Sequence, residues 1–182
     1  IEYVEMQLLA ELYNIITEMG HTPDEIAAIL ASWQSVANSY LLEITIAILR
    51  KKEGEDWLIN KIVDKAGNKG TGNWTTIATA QLGLPSTLIA TALFARFTSF
   101  YKEERIQASI NFKKEISKLD LSIQEVQEAY QFARIINHYQ GFKLISEAGK
   151  AYKWNLNLSE IARIWTNGCI IRSDFMVELI SV

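Results

Sequence analysis

The sequence predicts an all-α, multihelical protein in which long helices form a single domain with an internal pseudo-repeat. Apolar residues recur three and four positions apart along most of the chain, and no convincing run alternates apolar and polar residues as a half-buried strand does. Two N-terminal capping boxes support the helical prediction. The chain has 182 residues, of which 49% are hydrophobic and 21% charged, and this suits one domain with a substantial core.

The first helices are indicated by an apolar stripe and by a cap. The stripe comprises Leu8, Leu9, Leu12, Ile15 and Ile16. The second helix is predicted to begin at Thr22, because this residue can act as the N-cap, Pro23 suits the first helical position and Glu25 can close a capping box. A third helix is predicted over residues 39–51.

Shorter helices are predicted around residues 57–65, 75–82 and 86–101. Ser122 and Glu125 form the second capping box, and helix-compatible sequence continues from it to about Tyr152 without a proline. A helix of some thirty residues at 1.5 Å per residue spans roughly 45 Å. We therefore expect one helix to cross the whole domain.

The two ends of the chain share a pattern. The triplet Glu25-Ile26-Ala27 returns 135 positions later as Glu160-Ile161-Ala162, and the cap Thr22 is matched by Asn157 at the same displacement. Ser39 is echoed by Ser173, 134 positions later. We interpret this as a duplicated helical unit, with the first copy over about residues 1–120 and the opening of the second over about 121–182. Chance similarity between helices is the alternative.

Charge and composition exclude several partners. The net charge is −3 and the charged clusters are short and of mixed sign, so we expect neither nucleic acid nor an anionic membrane surface as a partner. No run reaches the ~18 continuous apolar residues of a membrane span. The single cysteine, Cys169, excludes an internal disulfide and fits a cytoplasmic protein. Together with two isolated histidines, His21 and His138, it provides no zinc site, and we expect no metal.

The segment from Ile62 to Trp74 carries the strongest chemical signal. We expect its glycines at 67, 70 and 72 to allow positive φ and to bring backbone N–H groups close to a ligand, while Lys69 supplies a charge and Thr71 a hydroxyl. These residue types suit a phosphate. A P-loop is excluded because Asn73 stands where the lysine is required. By composition alone, a glycine-rich turn with a solvated lysine is an equal alternative.

The same segment resembles a motif of the decarboxylating 6-phosphogluconate dehydrogenases, in which an aliphatic residue, Asp, Gly and Lys-Gly-Thr-Gly-x-Trp follow at this spacing. Further segments that resemble this family, in family order, are Ile1-Glu2-Tyr3, residues 39–45, Phe94-Ala95-Arg96, residues 139–142, residues 154–158 and residues 168–173. The resemblance implies an all-helical C-terminal domain with two pseudo-symmetric halves around long antiparallel helices. It also implies a homodimer.

The resemblance further implies a reaction. In this family NADP oxidises 6-phosphogluconate at C3, carbon dioxide leaves, and the enediol is protonated to ribulose 5-phosphate. By resemblance, Glu2 is the general acid, and a carboxyl group suits this task when burial raises its pKa. Tyr3, Lys69, Thr71 and Arg96 match the residues that bind the substrate phosphate, and a guanidinium can donate two hydrogen bonds to a phosphate.

Other parts of the family site have no match here. The family lysine, histidine and asparagine precede Ile-Glu-Tyr, so we expect this chain to belong to a longer polypeptide whose N-terminal domain binds most of the NADP. Asn73 and the pair Thr166-Asn167 depart from the family pattern. We therefore interpret the chain as the substrate-binding and dimerisation domain of such an enzyme. The alternative interpretation is a non-enzymatic helical interaction module with the same fold.

Overall fold

A computed structural model describes residues 1–112 and 119–181. The helices are α1 (Glu2–Glu18), α2 (Pro23–Ser32), α3 (Gln34–Ala37), α4 (Tyr40–Leu49), α5 (Thr71–Gln81), α6 (Thr87–Phe100), α7 (Lys102–Asn111), α8 (Ile123–Ala151), α9 (Leu158–Ile164) and α10 (Asp174–Glu178). Two short strands, β1 (Lys52–Glu53) and β2 (Asp56–Trp57), form a hairpin, and single 3₁₀ turns cover Leu58–Lys61 and Leu179–Ser181. The prediction of an all-α fold is confirmed.

The main core lies between α1, α2, α4 and the first half of α8. Leu9, Leu12 and Ile16 of the predicted apolar stripe are buried in it, and Leu8 and Ile15 pack at its edge. Their partners on the other helices include Ile26, Ala27, Leu30, Leu42, Leu49, Val126 and Tyr130. A smaller cluster of Val4, Ile89 and Ala92 joins α1 to α6. Removal of these side chains from water is the main contribution that holds the helices together.

Both predicted capping boxes are present. The Thr22 and Ser122 backbone N–H groups each donate to the glutamate three residues later, at 2.7 Å in both cases. The glutamate N–H groups donate back to the cap hydroxyls, at 3.4 Å for Thr22 and 3.2 Å for Ser122. The hydrogen bonds that the N–H and the hydroxyl of each cap residue donate to the carboxylate lower the pKa of Glu25 and Glu125. The second box begins α8, which runs unbroken for 29 residues as the sequence predicts.

The helix predicted around residues 57–65 is wrong. Within this range only Leu58–Lys61 are helical, in one 3₁₀ turn, and Trp57 is the last residue of the β1–β2 hairpin, in which Lys52 lies opposite Trp57 and Glu53 opposite Asp56. Gly54 turns the hairpin at φ +64°, a conformation that glycine adopts without a steric penalty and that interrupts a helix. The hairpin places Trp57 in a strand, so a helix cannot begin at that residue.

Two further differences concern α5 and α7. α5 begins at Thr71 instead of Thr75, because Gly70 takes φ +95° and lets the chain enter the helix directly after it. α7 was not predicted, and it follows α6 after the single residue Tyr101. Its sequence contains few apolar residues, and no residue of it is buried.

Ser39 and Ser173, the two serines that the repeat alignment matches, form an isolated antiparallel bridge. The Tyr40 N–H donates to the Arg172 carbonyl at 3.1 Å, and the Asp174 N–H donates to the Asn38 carbonyl at 3.2 Å. Each serine hydroxyl also caps the helix that follows it, α4 and α10 respectively. The matched positions are therefore in direct contact, whereas the division of the repeats near residue 120 stays a prediction.

Within the described ranges, no helix is both long enough and apolar enough to span a bilayer. The same residues contain no group of three or more His, Cys, Asp or Glu side chains arranged to bind a metal ion.

We expect Ser122→Ala to lower the free energy of unfolding by about 1 kcal/mol, because the change removes the N-cap acceptor of α8. Urea denaturation of the variant measures this loss. Ser109→Ala is the matched control, since the Ser109 hydroxyl donates to a carbonyl within α7 and caps no helix. Equal stability losses for the two variants would contradict the prediction.

Candidate functional site

The loop before α5 is anchored by its aspartate. Asp64 forms ion pairs with Lys102 at 2.7 Å and Arg105 at 2.9 Å, and Arg105 also donates to the carbonyls of Asp64 and Ser99 at 3.2 Å. The hydrogen bonds from Lys102 and then Arg105 lower the pKa of Asp64 to about 2. The Ala66 N–H donates to the Ser99 hydroxyl at 3.0 Å. The loop is thus fixed to the junction of α6 and α7.

Arg96 and Tyr3 meet beneath this loop. The Arg96 guanidinium carbon lies 3.6 Å from the centre of the Tyr3 ring, and Nη1 donates to the Gly67 carbonyl at 2.6 Å. The Tyr3 hydroxyl accepts a hydrogen bond from the Lys69 N–H at 3.3 Å and donates to Asn68 Oδ1 at 3.4 Å. Residues from α1, α6 and the loop are therefore brought together by direct contacts.

The glycines of the loop act in different ways. Of the three, only Gly70 has positive φ, so the expectation of positive φ at positions 67 and 72 is wrong. Gly72 is required for a different reason, since a Cβ there would lie 2.9 Å from Tyr3 Cε2 and 3.1 Å from Leu93 Cδ1. The absence of a side chain at position 72 lets the first turn of α5 lie against the Tyr3 ring.

Thr71 and Glu2 share a small cavity of about 80 Å³. It is lined by Ile1, Glu2, Tyr3, Val4, Thr71, Gly72, Thr75 and Ile89. Glu2 is the first residue of α1 and is half-buried, while Thr71 is the first residue of α5 and is exposed. Among the described residues, no side chain caps the N-terminus of α5. Its first N–H groups can therefore bind an anion beside the Tyr3 ring.

Lys69 contacts the other site residues through its backbone. Its side chain is exposed, and the contact that joins Lys69 to Tyr3 is made by the backbone N–H. An exposed lysine beside this cluster can still attract an anion as a mobile charge. The structure thus places Tyr3 and Arg96 in contact with the loop that carries Lys69, and it places Thr71 with Glu2 in the adjoining cavity.

Sequence reasoning missed a buried polar cluster beneath the first turn of α1. Glu5 contacts Arg134 and Asn137 of α8, and all three side chains are buried. The signal was present in the sequence, because Glu5 lies four residues before Leu9 on the core-facing stripe of α1. Arg134 likewise lies four residues after Tyr130 on the core face of α8.

A larger, mainly apolar cavity lies elsewhere. It has a volume of about 730 Å³ and is bounded by α8, the start of α9, α10 and the turn after it, with Ile135, Phe142, Leu156 and Phe175 in its wall. None of the five predicted site residues lines it. A mainly apolar cavity offers little to a phosphate, so we place the candidate site at Tyr3, Arg96 and the N-terminus of α5.

Comparisons with known proteins show which family the chain resembles. The sequence profile of the family described as 6-phosphogluconate dehydrogenase, C-terminal domain, matches residues 1–182. A similar curated protein is the decarboxylating 6-phosphogluconate dehydrogenase of Drosophila melanogaster, which is 42% identical over 182 residues covering 97% of this chain and 38% of that protein. The enzyme of the same description from Lactococcus lactis subsp. lactis is 42% identical over 193 residues, covering 98% and 40%.

A solved structure is also similar. The 6-phosphogluconate dehydrogenase of Plasmodium falciparum has been determined without ligands, with its cofactor NADP⁺ and with its substrate 6-phosphogluconate. It matches with a TM-score of 0.93 and 36% sequence identity, over 99% of this chain and 41% of that one. The chain spans about two fifths of the length of these relatives. By sequence and by fold, the chain belongs to the 6-phosphogluconate dehydrogenase family, in which it matches the C-terminal domain.

Proposed function

We propose that this chain is the substrate-binding and dimerisation part of an NADP-dependent enzyme that converts 6-phosphogluconate to ribulose 5-phosphate and carbon dioxide. The observation that carries the proposal is the contact of Tyr3 and Arg96 with the Lys69 loop at the uncapped N-terminus of α5. Family membership favours this reading over a non-enzymatic interaction module, because the relatives matched along nearly the whole chain are enzymes.

The phosphate of the substrate would bind between Arg96, Lys69, Thr71 and the Tyr3 hydroxyl. Arg96 Nη1 already donates to a carbonyl, but Nη2 contacts the Met6 sulfur at 3.2 Å. A thioether is a weak acceptor, and a phosphate oxygen would replace it with a stronger, charge-assisted hydrogen bond. The N–H groups of the first turn of α5 and the positive end of its dipole would add to this attraction.

Glu2 would act at the other end of the substrate. Glu2 directly precedes Tyr3 and lines the cavity that Thr71 and Thr75 share. With the phosphate bound near Tyr3, the carbon chain would extend toward Glu2. We propose that Glu2 donates its proton to the carbon that has lost the carboxylate, while a base of the full-length protein accepts the proton of the neighbouring enol hydroxyl, which gives the product ketose.

The described residues do not form a nucleotide-binding fold. Their sheet consists of two strands of two residues each, whereas a dinucleotide site of the common type requires a parallel sheet and a glycine-rich strand-to-helix turn. We therefore propose that NADP is bound mainly by an N-terminal domain of the full-length protein. Bound there, NADP would supply the acceptor for the hydride that leaves C3. The residues of this chain bind and orient the sugar phosphate.

We also propose that the protein is a cytoplasmic homodimer. Large apolar side chains remain exposed on α5 and α6, including Trp74 at 71% and Phe94 at 53%. Exposed apolar surface of this kind favours association. The single cysteine, Cys169, is unpaired, which suits a reducing compartment. Sedimentation of the full-length protein tests the dimer, and a stable monomer at micromolar concentration would exclude it.

In the full-length product of the gene that encodes this chain, Arg96→Ala should raise KM for 6-phosphogluconate by roughly tenfold to 150-fold. This corresponds to the loss of charged hydrogen bonds of about 1.5–3 kcal/mol. KM for NADP should change little, because Arg96 contacts the phosphate end of the sugar. Steady-state kinetics measure both constants.

Arg163→Ala is the matched control for this variant. Arg163 is an exposed arginine on α9 that pairs with Glu160 at 2.8 Å, so its loss should leave both constants unchanged. An unchanged KM for 6-phosphogluconate in Arg96→Ala would show that Arg96 only packs against Tyr3.

The purified 182-residue chain should not reduce NADP in the presence of 6-phosphogluconate. It holds a candidate acid, but its described residues provide no dinucleotide-binding sheet to hold the hydride acceptor. NADPH absorbance measures the reaction, with the full-length protein as the positive control. Turnover by the chain alone would contradict this division of roles, and an inactive full-length protein would contradict the proposed function.

A further inference from the structure

A polar cluster lies in the buried contact between α1 and α8. It consists of Glu5, Arg134 and Asn137, which are 3%, 4% and 0% exposed, and we call it the Glu5 cluster. Arg134 Nε donates to Glu5 Oε2 at 3.2 Å, and Asn137 Nδ2 donates to Glu5 Oε1 at 3.2 Å. Both oxygens of the carboxylate are therefore held by α8.

The cluster also donates hydrogen bonds to two backbone carbonyls outside α8. Asn137 Nδ2 donates to the Ile1 carbonyl at 3.1 Å, and this same carbonyl accepts the first helical N–H bonds of α1. Arg134 Nη1 donates to the Ala37 carbonyl at 3.0 Å. The segment from Ile1 to Glu5 is thus fixed at the Ile1 carbonyl and at the Glu5 side chain. Glu2 and Tyr3 lie between these two points.

This arrangement is costly for stability. Arg134 Nη2, Asn137 Oδ1 and the neighbouring His138 Nε2 are buried, and no described residue provides a hydrogen-bond partner for them. Burial lowers the pKa of His138, so its imidazole is neutral and contributes no charge. A buried ion pair with unpaired polar atoms is commonly less stable than apolar packing of the same volume. A contribution to the stability of the fold therefore does not explain why these polar residues are buried here.

We propose that the Glu5 cluster is a positioning device that sets the orientation of Glu2 and Tyr3 toward the substrate. Apolar contacts between two helices tolerate small rotations and shifts along the axis, whereas hydrogen bonds to one carbonyl and one carboxylate define a single orientation. A displacement of about 1 Å at a reacting group can lower the rate on the order of a hundredfold. This inference rests on the proposed function, because it assigns the cluster a role in presenting the acid.

The test is a double-mutant cycle in the full-length protein. Asn137→Leu removes both hydrogen bonds to the first turn and leaves a side chain of similar size. We expect it to lower kcat by about tenfold or more and to leave KM for NADP unchanged. In a Glu2→Gln background, the same change should lower kcat by less than about twofold, because the residue that Asn137 positions has already been removed. A merely structural role predicts equal effects in both backgrounds.

Val126→Ala is the matched control. Val126 is buried in the same α1–α8 contact but lies at its other end, in the main core away from the first turn. The Val126→Ala variant should have a lower free energy of unfolding in urea denaturation and an unchanged kcat. If Asn137→Leu does not fold, Glu5→Gln takes its place in the cycle, since it keeps the size of the side chain and removes the charge.

The outcomes separate the two proposals. If the wild-type protein is active and Asn137→Leu lowers kcat by the same factor with and without Glu2→Gln, the positioning role alone is overturned. The same holds if Val126→Ala lowers kcat as much as Asn137→Leu. A wild-type kcat in both Asn137→Leu and Glu5→Gln overturns it as well. A wild-type protein that does not oxidise 6-phosphogluconate overturns the proposed function, and this inference with it.

Discussion

The packing of α1 against the 29-residue helix α8 is the constraint on which the rest of the structure depends. The two helices meet through apolar residues at one end, where Leu12 packs near Val126 and Tyr130. At the other end they meet through the Glu5–Arg134 ion pair. The apolar end contributes most of the stability because it removes hydrocarbon from water, whereas the polar end restricts the relative orientation of the helices.

α8 also positions α6, and through it Arg96. The side chain of Gln140 accepts a hydrogen bond from the Leu88 N–H at 3.1 Å and donates to the Thr87 hydroxyl at 3.2 Å. It thereby satisfies backbone and side-chain groups at the N-terminus of α6, where the N-cap residue Ser86 makes no side-chain capping bond. Because α1 and α6 are both held by α8, the Arg96 guanidinium comes to lie over the Tyr3 ring.

The loop before α5 is the third part of the site, and ion pairs hold it in place. Asp64 is bound by Lys102 and Arg105 of α7, so this polar helix anchors the loop although it contributes nothing to the buried core. The Tyr3 ring then lies between Arg96 on one side and Gly72 on another. A site with several backbone and side-chain donors around one aromatic ring suits a ligand with several acceptor oxygens, as a phosphate has.

The sequence by itself determined the helical class, the two capping boxes and the long helix α8, because these depend on residues within a few positions of one another. Through resemblance to a family motif it also singled out Tyr3, Lys69 and Arg96, which the structure brings together. It could not determine that residues 52–57 form a hairpin or that Gly72 serves close approach instead of positive φ. The Glu5 cluster was likewise undetected, since a charged residue on an apolar stripe acquires its partners only when α8, some 130 residues away, packs against it. Such contacts were decided by tertiary structure because the burial and pairing of a charge depend on groups distant in sequence.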